Sequence, residues 1–293
     1  MEGHWLWQSD LWVLKLMIDS VVDIELYTDL YFSNGVNAPY KLRDKTDIQI
    51  KPVLLKDYPL YLGTSEIIQL YKNEVNDIKI IQMSYLQYLM EVVLPSGKDP
   101  DGKKINIYEA KLRGLIELCL GYQFCAFRKV KDKWNIILCS SDSTIEHFIT
   151  PADFDDIMLI ILNQNDAKYD NRYVNPEVRK LIQEYYDIKN RDVSSPSLEK
   201  RKAYVSSKLA KSFKELGEMT VREFELVYKA LVDSEMYLTT KITEASYKYE
   251  VKNPTNHPLY SKDKDPYEEA FSDTSVLKDK GFKGAESIGL EIE

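Results

Sequence analysis

The stretch Ile149 to Leu162, ITPADFDDIMLIIL, constrains this chain more than any other. Thr150 is a strong helix N-cap, Pro151 suits the first helical position, and Asp153 closes a capping box three residues after the cap. Ile149 and Phe154 stand where a hydrophobic staple places its two apolar residues. Phe154, Ile157, Met158, Ile161 and Leu162 then repeat at i, i+3, i+4, i+7 and i+8, the spacing of one buried helix face. The same grammar recurs at Met219-Thr220-Val221-Arg222-Glu223-Phe224, with Thr220 and Glu223 as the box and Met219 and Phe224 as the staple.

Between these two starts, Asn175-Pro176 opens a helix carrying Val178, Leu181, Ile182 and Tyr185. Ser195-Pro196 opens another with Leu198, Val205, Leu209 and Phe213. From Thr220 a long helix runs through Phe224, Val227, Tyr228, Leu231, Leu238 and Ile242. The second half is therefore expected to be a helical bundle. After Val251 the periodicity decays, and Asn253-Pro254, His257-Pro258 and Asp265-Pro266 punctuate an acidic tail read as extended or disordered.

The first half mixes periods. Residues 5–22 read as a short amphipathic helix containing Trp5, Trp7 and Trp12, either a cap over the domain's own core or an anchor for a partner. Asn34-Gly35 and Asn37-Ala38-Pro39 are turn signals. Asp47 to Val53 alternates as a strand, with Tyr40 to Leu42 as its hairpin partner. Helical character follows after Asp57, then as one broken helix or two over 64–94, then over Ile105 to Leu120. Pro95 to Gly102 reads as a loop. Tyr122 to Val130 and Trp134 to Cys139 read as a hairpin about Lys131-Asp132-Lys133. The expected fold is thus α+β and mostly α-helical, divided as a mixed region 1–148, a helical region 149–250 and a tail 251–293.

Composition narrows the function classes. A net charge of −8 argues against general nucleic-acid affinity, because neutralising phosphates takes a surplus of Lys and Arg. Twenty-one Tyr against three His favours contact surfaces over acid–base chemistry. Cys119, Cys125 and Cys139 show no C-x-x-C spacing and an odd count, which suits reduced, buried thiols in a cytoplasmic setting. The apolar N-terminus lacks a basic flank and is interrupted by Asp10, Lys15 and Asp19, so it reads as neither a leader nor a membrane span.

Candidate sites are few. Pro95-Ser96-Gly97-Lys98 lacks the upstream Gly and the following Ser or Thr of a phosphate loop. Asp99-Pro100-Asp101-Gly102 is followed by Lys103 where a calcium loop needs a ligand. His147 with a cysteine could form a nucleophile pair, but the cysteines sit among apolar residues. Asp153, Asp155 and Asp156 read as N-terminal capping and dipole compensation. Between Lys189 and Lys214, eight Lys or Arg face two acids. Lys200, Arg201, Lys208, Lys211 and Lys214 are expected on one helix face, opposite Leu198, Val205, Leu209 and Phe213. That face is either plainly solvated or docks an acidic partner, the chain's own tail included.

Several of these segments resemble proteins encoded in the tail-gene regions of phages and prophages of Gram-positive bacteria. That pattern is an ITPEDFDEI…ILxQN helix, a Pro-started helix and an MT(I/V)RxFxxL helix. Here it is matched by Ile149 to Ile157, Ile161 to Asn165, Asn175-Pro176-Glu177 and Met219 to Phe224. Ile48 to Leu55 is similar to an I-x-I-x-P-L-T-L strand of the same group. The matched pieces cover about half of the chain, as far as residue 246. The resemblance implies a non-enzymatic tail or baseplate assembly factor, chaperone-like, acting in the host cytoplasm on phage tail or baseplate proteins. A structural virion component and a phage protein that binds a host factor such as a defence protein are the alternatives. It brings no catalytic residue with it, and no cofactor, metal, nucleic acid or membrane is expected. The candidate partner-binding residues are Lys200, Arg201, Lys208, Lys211, Lys214, Trp5, Trp7 and Trp12.

Overall fold

In the computed structural model, residues 22–70, 72, 77–96, 106–139, 145–166, 176–189, 196–246 and 255–257 are described. The fold is α+β and mostly helical. The chain forms two compact units, one of 1–170 with 214–226, the other of 171–213 with 227–293. This differs from the expected division at 148, because the helix after Thr150 is built into the first unit's core. The expected Trp helix lies outside the described residues except for Val22, which is buried. The expected tail lies outside them except for 255–257.

In the first unit, β1 (Ala38–Lys41) and β2 (Asp47–Ile50) form the expected antiparallel hairpin, with Tyr40 opposite Ile48 and Ala38 opposite Ile50. The two-residue period sends Ala38, Tyr40, Ile48 and Ile50 inward and Lys41, Asp47 and Gln49 outward. After Val53 the chain turns helical, and α1 (Tyr58–Ser65) packs on α2 (Ile107–Leu120). Between them lie shorter pieces: a turn at Glu66–Ile68 and helical segments at Ile78–Gln82, Tyr85–Tyr88 and Leu94–Ser96. Asn106 caps α2 through Glu109 N–H, and Gly121 ends it in the left-handed conformation.

The second sheet has order β3-β4-β5: Gln123–Val130, Lys133–Cys139 and Ile145–Ile149, all antiparallel. Lys131 and Asp132 both have positive φ, the geometry of a two-residue hairpin turn. β5 was not expected. Its five residues end in Ile149, which pairs with Ile136 and also carries the staple position before the next helix.

That helix, α3 (Pro151–Asn165), is the hub of the unit. Its capping box is complete: Thr150 Oγ1 accepts from Asp153 N–H, and Asp153 Oδ2 accepts from Thr150 N–H. Phe154, Ile157, Ile160, Ile161 and Leu162 are buried, and the helix packs against Tyr85–Tyr88, β2, β4 and the wide turn at Thr28–Phe32. Its last turn is polar and nonetheless buried. Asn165 Oδ1 accepts the Val53 N–H at 2.8 Å while its Nδ2 donates to Ile161 O. Gln164 Nε2 reaches Val36 O and Ile50 O, and Asn163 Nδ2 bonds back to Leu159 O.

The second unit contains α4 (Pro176–Lys189), α5 (Leu198–Leu209) and the later part of α6 (Val221–Ser246), whose first residues belong to the first unit. Tyr185 of α4 and Val205 of α5 are fully buried. The start of α6 is fastened locally in the first unit. Thr220 Oγ1 accepts from Glu223 N–H, Val221 N–H donates to Val53 O, and Leu55 N–H donates to Met219 O. Arg222 Nη1 donates to Asn163 O at 2.7 Å. Gly35 has φ +63°, and a Cβ there would stand 3.2 Å from the Thr220 methyl.

Two kinds of substitution separate local from long-range stabilisation. Thr150→Ala and Thr220→Ala are each expected to cost about 1 kcal/mol by removing a cap. Asn165→Leu leaves the buried Val53 N–H without an acceptor and is expected to cost about 2 kcal/mol. Urea melts of the three variants measure both; an Asn165→Leu protein as stable as wild type would remove the amide from its place in the fold.

Candidate functional site

A half-open groove of about 710 Å³ lies where the β3–β4 hairpin tip meets the start of α3. Lys131, Lys133, Trp134 and Asn135 form the hairpin wall, and Thr150, Pro151, Ala152 and Asp155 form the helix wall. Arg43 closes one side, and Gln82, Ser84 and Gln87 another. Trp134 is steadied by its own neighbours: its Nε1–H donates to Glu91 at 3.3 Å and Lys129 Nζ sits 5.5 Å from its ring centre.

Beneath Arg43 is a buried polar network. Arg43 Nη1 donates to Asp153 Oδ1 at 2.9 Å and lies 3.6 Å from Asp156. The Tyr40 hydroxyl donates to Asp156 at 2.8 Å and approaches Asp153 at 3.2 Å. Asp153 is completely buried, and its Oδ1 also accepts the backbone N–H of Arg43 while Oδ2 serves Thr150. Burial, followed by its bond to Asp156, drives the Tyr40 phenol far above its ordinary value. Burial also raises the Asp156 carboxyl, assisted by the charge of Asp153 and opposed by Tyr40 and Arg43.

The three acids at the start of α3 thus divide their work. Asp153 completes the cap as expected but also anchors Arg43, and Asp156 holds Tyr40. Asp155 faces the groove, and its Oδ1 is buried with no hydrogen-bond partner among the described residues. Burial pushes its carboxyl up to about 6, against the charge of Lys72 and the Tyr85 backbone N–H. Lys72 is itself pulled down by burial while it donates to Met83 O.

The remaining candidates are the three cysteines and His147. Cys119 is a free thiol, completely buried, and burial pushes it up to about 12, so it is not a thiolate at neutral pH. Cys139 is buried and disulfide-bonded, which corrects the expectation of a thiol there; the Cys125 side chain lies outside the described residues. His147 on β5 meets the Tyr122 hydroxyl at 3.2 Å through Nε2, with the two rings edge to face.

The five expected basic residues do not share one helix. α5 ends at Leu209, where Ala210 takes a left-handed conformation, and Ser206 Oγ donates to Lys211 O across the break. Lys200, Arg201 and Lys208 are on α5, Lys211 follows its end, and Lys214 is on a separate short helix, Phe213–Gly217, assigned to the first unit. Leu209 and Phe213, expected in the core, are 38% and 49% exposed. Lys208 is ion-paired with Glu235 and holds that carboxyl below its usual range. Arg201 stacks over Tyr228 at 5.8 Å, and with Lys200, Tyr204 and Glu235 it lines a cleft of about 250 Å³. Lys200, Lys211 and Lys214 are exposed. Trp5, Trp7 and Trp12 lie outside the described residues.

No family model, curated protein or solved structure matches this chain. Its site is therefore read from geometry alone. The groove combines cations, an aromatic wall and one unmet acceptor. Among the described residues, no group of three His, Cys, Asp or Glu is placed to hold a metal ion, and no helix is long and apolar enough to cross a membrane. The signal that locates the groove in the sequence is Arg128-Lys129-Val130-Lys131-Asp132-Lys133, four cations against one acid within a predicted hairpin.

The pH dependence of Asp155 follows from its direction of shift. An acid whose pKa is raised by folding binds more protons in the folded state, so its contribution to stability is complete below its ordinary value and is lost as pH rises through about 6. Asp155→Asn is therefore expected to be more stable than wild type at neutral pH, with the gain shrinking toward pH 4. Denaturant midpoints across that range measure it; a constant difference would mean that the carboxyl is not held up by burial.

Proposed function

We propose that this chain is a non-enzymatic assembly factor of a phage tail or baseplate, chaperone-like, which binds a tail component in the host cytoplasm. The observation that carries the reading is where the resembling segments lie in the first unit. Asn163 to Asn165 of the ILxQN piece, Val53 and Leu55 of the strand-like piece, and Thr220 to Arg222 of the MTVRxF piece meet in one buried junction. Segments far apart in sequence that bond directly to each other specify a scaffold together. That supports a resemblance in fold-determining residues over a coincidence of local capping grammar.

The charged groups on this reading are for docking. Lys200 and Lys211 are exposed cations and become the testable part of the basic region, because Lys208 is already paired with Glu235. Lys200→Glu with Lys211→Glu is expected to leave stability within about 0.5 kcal/mol, as surface changes usually do. If these lysines meet an acidic tail component, the double reversal slows capture and wild-type capture weakens with salt. Affinity capture of tail proteins from phage-producing cells, with both proteins at low salt, measures this. Mass spectrometry of purified virions separates the two leading roles: an assembly factor is absent from them and a structural component is present. Capture of no tail or baseplate protein by wild type would end the proposal.

A further inference from the structure

The β3–β4 hairpin leaves part of β4 without a neighbour on its β5 side. A two-residue turn makes Val130 and Lys133 a hydrogen-bonded pair, so the N–H and C=O groups of Trp134 and Ile136 point away from β3. Ile136 lies opposite Ile149, the last residue of β5. Beyond it the chain turns into α3 through Thr150 and Pro151, and proline has no N–H to offer. The Trp134 backbone therefore borders the groove with no strand opposite. Nearby, Lys131 and Lys133 are exposed and neither is ion-paired among the described residues, unlike Lys129 and Arg43. Asp155 also borders the groove, with its Oδ1 enclosed below the surface.

We infer that this groove binds an extended acidic segment of a partner protein, which adds its backbone to the open edge at Trp134. Acidic side chains of the segment face Lys131 and Lys133. The open backbone at Trp134 decides between peptide and nucleic acid, because an extended peptide presents N–H and C=O groups in strand register along one edge and a phosphodiester backbone does not. The inference stands apart from the phage reading, since it concerns the purified chain alone and neither outcome above decides it.

The test is selection of short random peptides from a display library by the purified full chain, followed by binding measurements on a selected peptide. The expected result is enrichment of Asp- and Glu-rich sequences. Lys131→Glu with Lys133→Glu, checked for folding by thermal melt, is expected to weaken the selected peptide by about tenfold or more, and Lys131→Gln with Lys133→Gln by less. Lys51→Glu with Lys180→Glu, exposed lysines outside the groove, is expected to leave it unchanged. Absence of acidic enrichment, or binding indifferent to the Lys131 and Lys133 reversals, overturns the inference. So does tighter binding of oligothymidylate at the same groove, which makes it a nucleic-acid surface. Selection of peptides matching residues 251–293, or self-association lost in the Lys131 and Lys133 reversal, replaces the partner with the chain itself.

Discussion

The first unit depends on an amide at the end of a greasy helix. α3 buries apolar side chains over most of its circumference, which alone would let it slide or rotate within the core. Its final turn prevents that. A buried amide must place both its donor and its acceptor. Asn165 does so by taking the Val53 N–H and returning a bond to Ile161 O. Val53 then has only its carbonyl left, and Val221 N–H fills it. One side chain thus sets the height of α3 against the strand that follows β2 and, through that strand, the place where α6 begins.

The other end of the same helix handles charge. Three neighbouring aspartates would repel one another in a water-poor setting, and the fold separates their duties by giving each a different solvent and partner. Asp153 has Arg43 and the helix cap, Asp156 has the Tyr40 hydroxyl, and Asp155 is left facing the groove. The net effect is an anionic cluster neutralised by Arg43 and Tyr40 on one side, while Asp155 on the other has the Lys72 charge and the Tyr85 N–H. Arg43, although it lines the groove, is already committed to the carboxylates beneath it, so the free positive charge of the groove comes from the hairpin tip.

Local grammar was legible in the sequence wherever the interaction is short in range. The box at Thr150 and the hairpins at 38–50 and 123–139 could be read because each is decided by residues a few positions apart. β5 could not, since five residues without turn signals are as compatible with the run-up to a helix as with a strand. Nor could the buried role of Asn163 to Asn165, which looks from the sequence like an ordinary polar helix end. The end of α5 was hidden for a different reason: Ala210, a strong helix former, takes a left-handed conformation with no glycine to announce it. The side of the groove away from the hairpin could not be read, because Arg43 and Asp153 are brought together across 110 residues of chain.

The first unit is discontinuous: residues 171–213 interrupt it, and 214–226 return to complete it. A ribosome releases the chain from its N-terminus, so most of this unit emerges well before the segment that closes it. Until Met219 to Arg222 appear, the Val53 carbonyl, the Leu55 N–H and the Asn163 carbonyl lack the partners they have in the finished fold. Completion of the unit is therefore tied to synthesis of the inserted residues. A nascent chain stalled within that insertion carries nearly all of the first unit's core residues without the stretch that seals them.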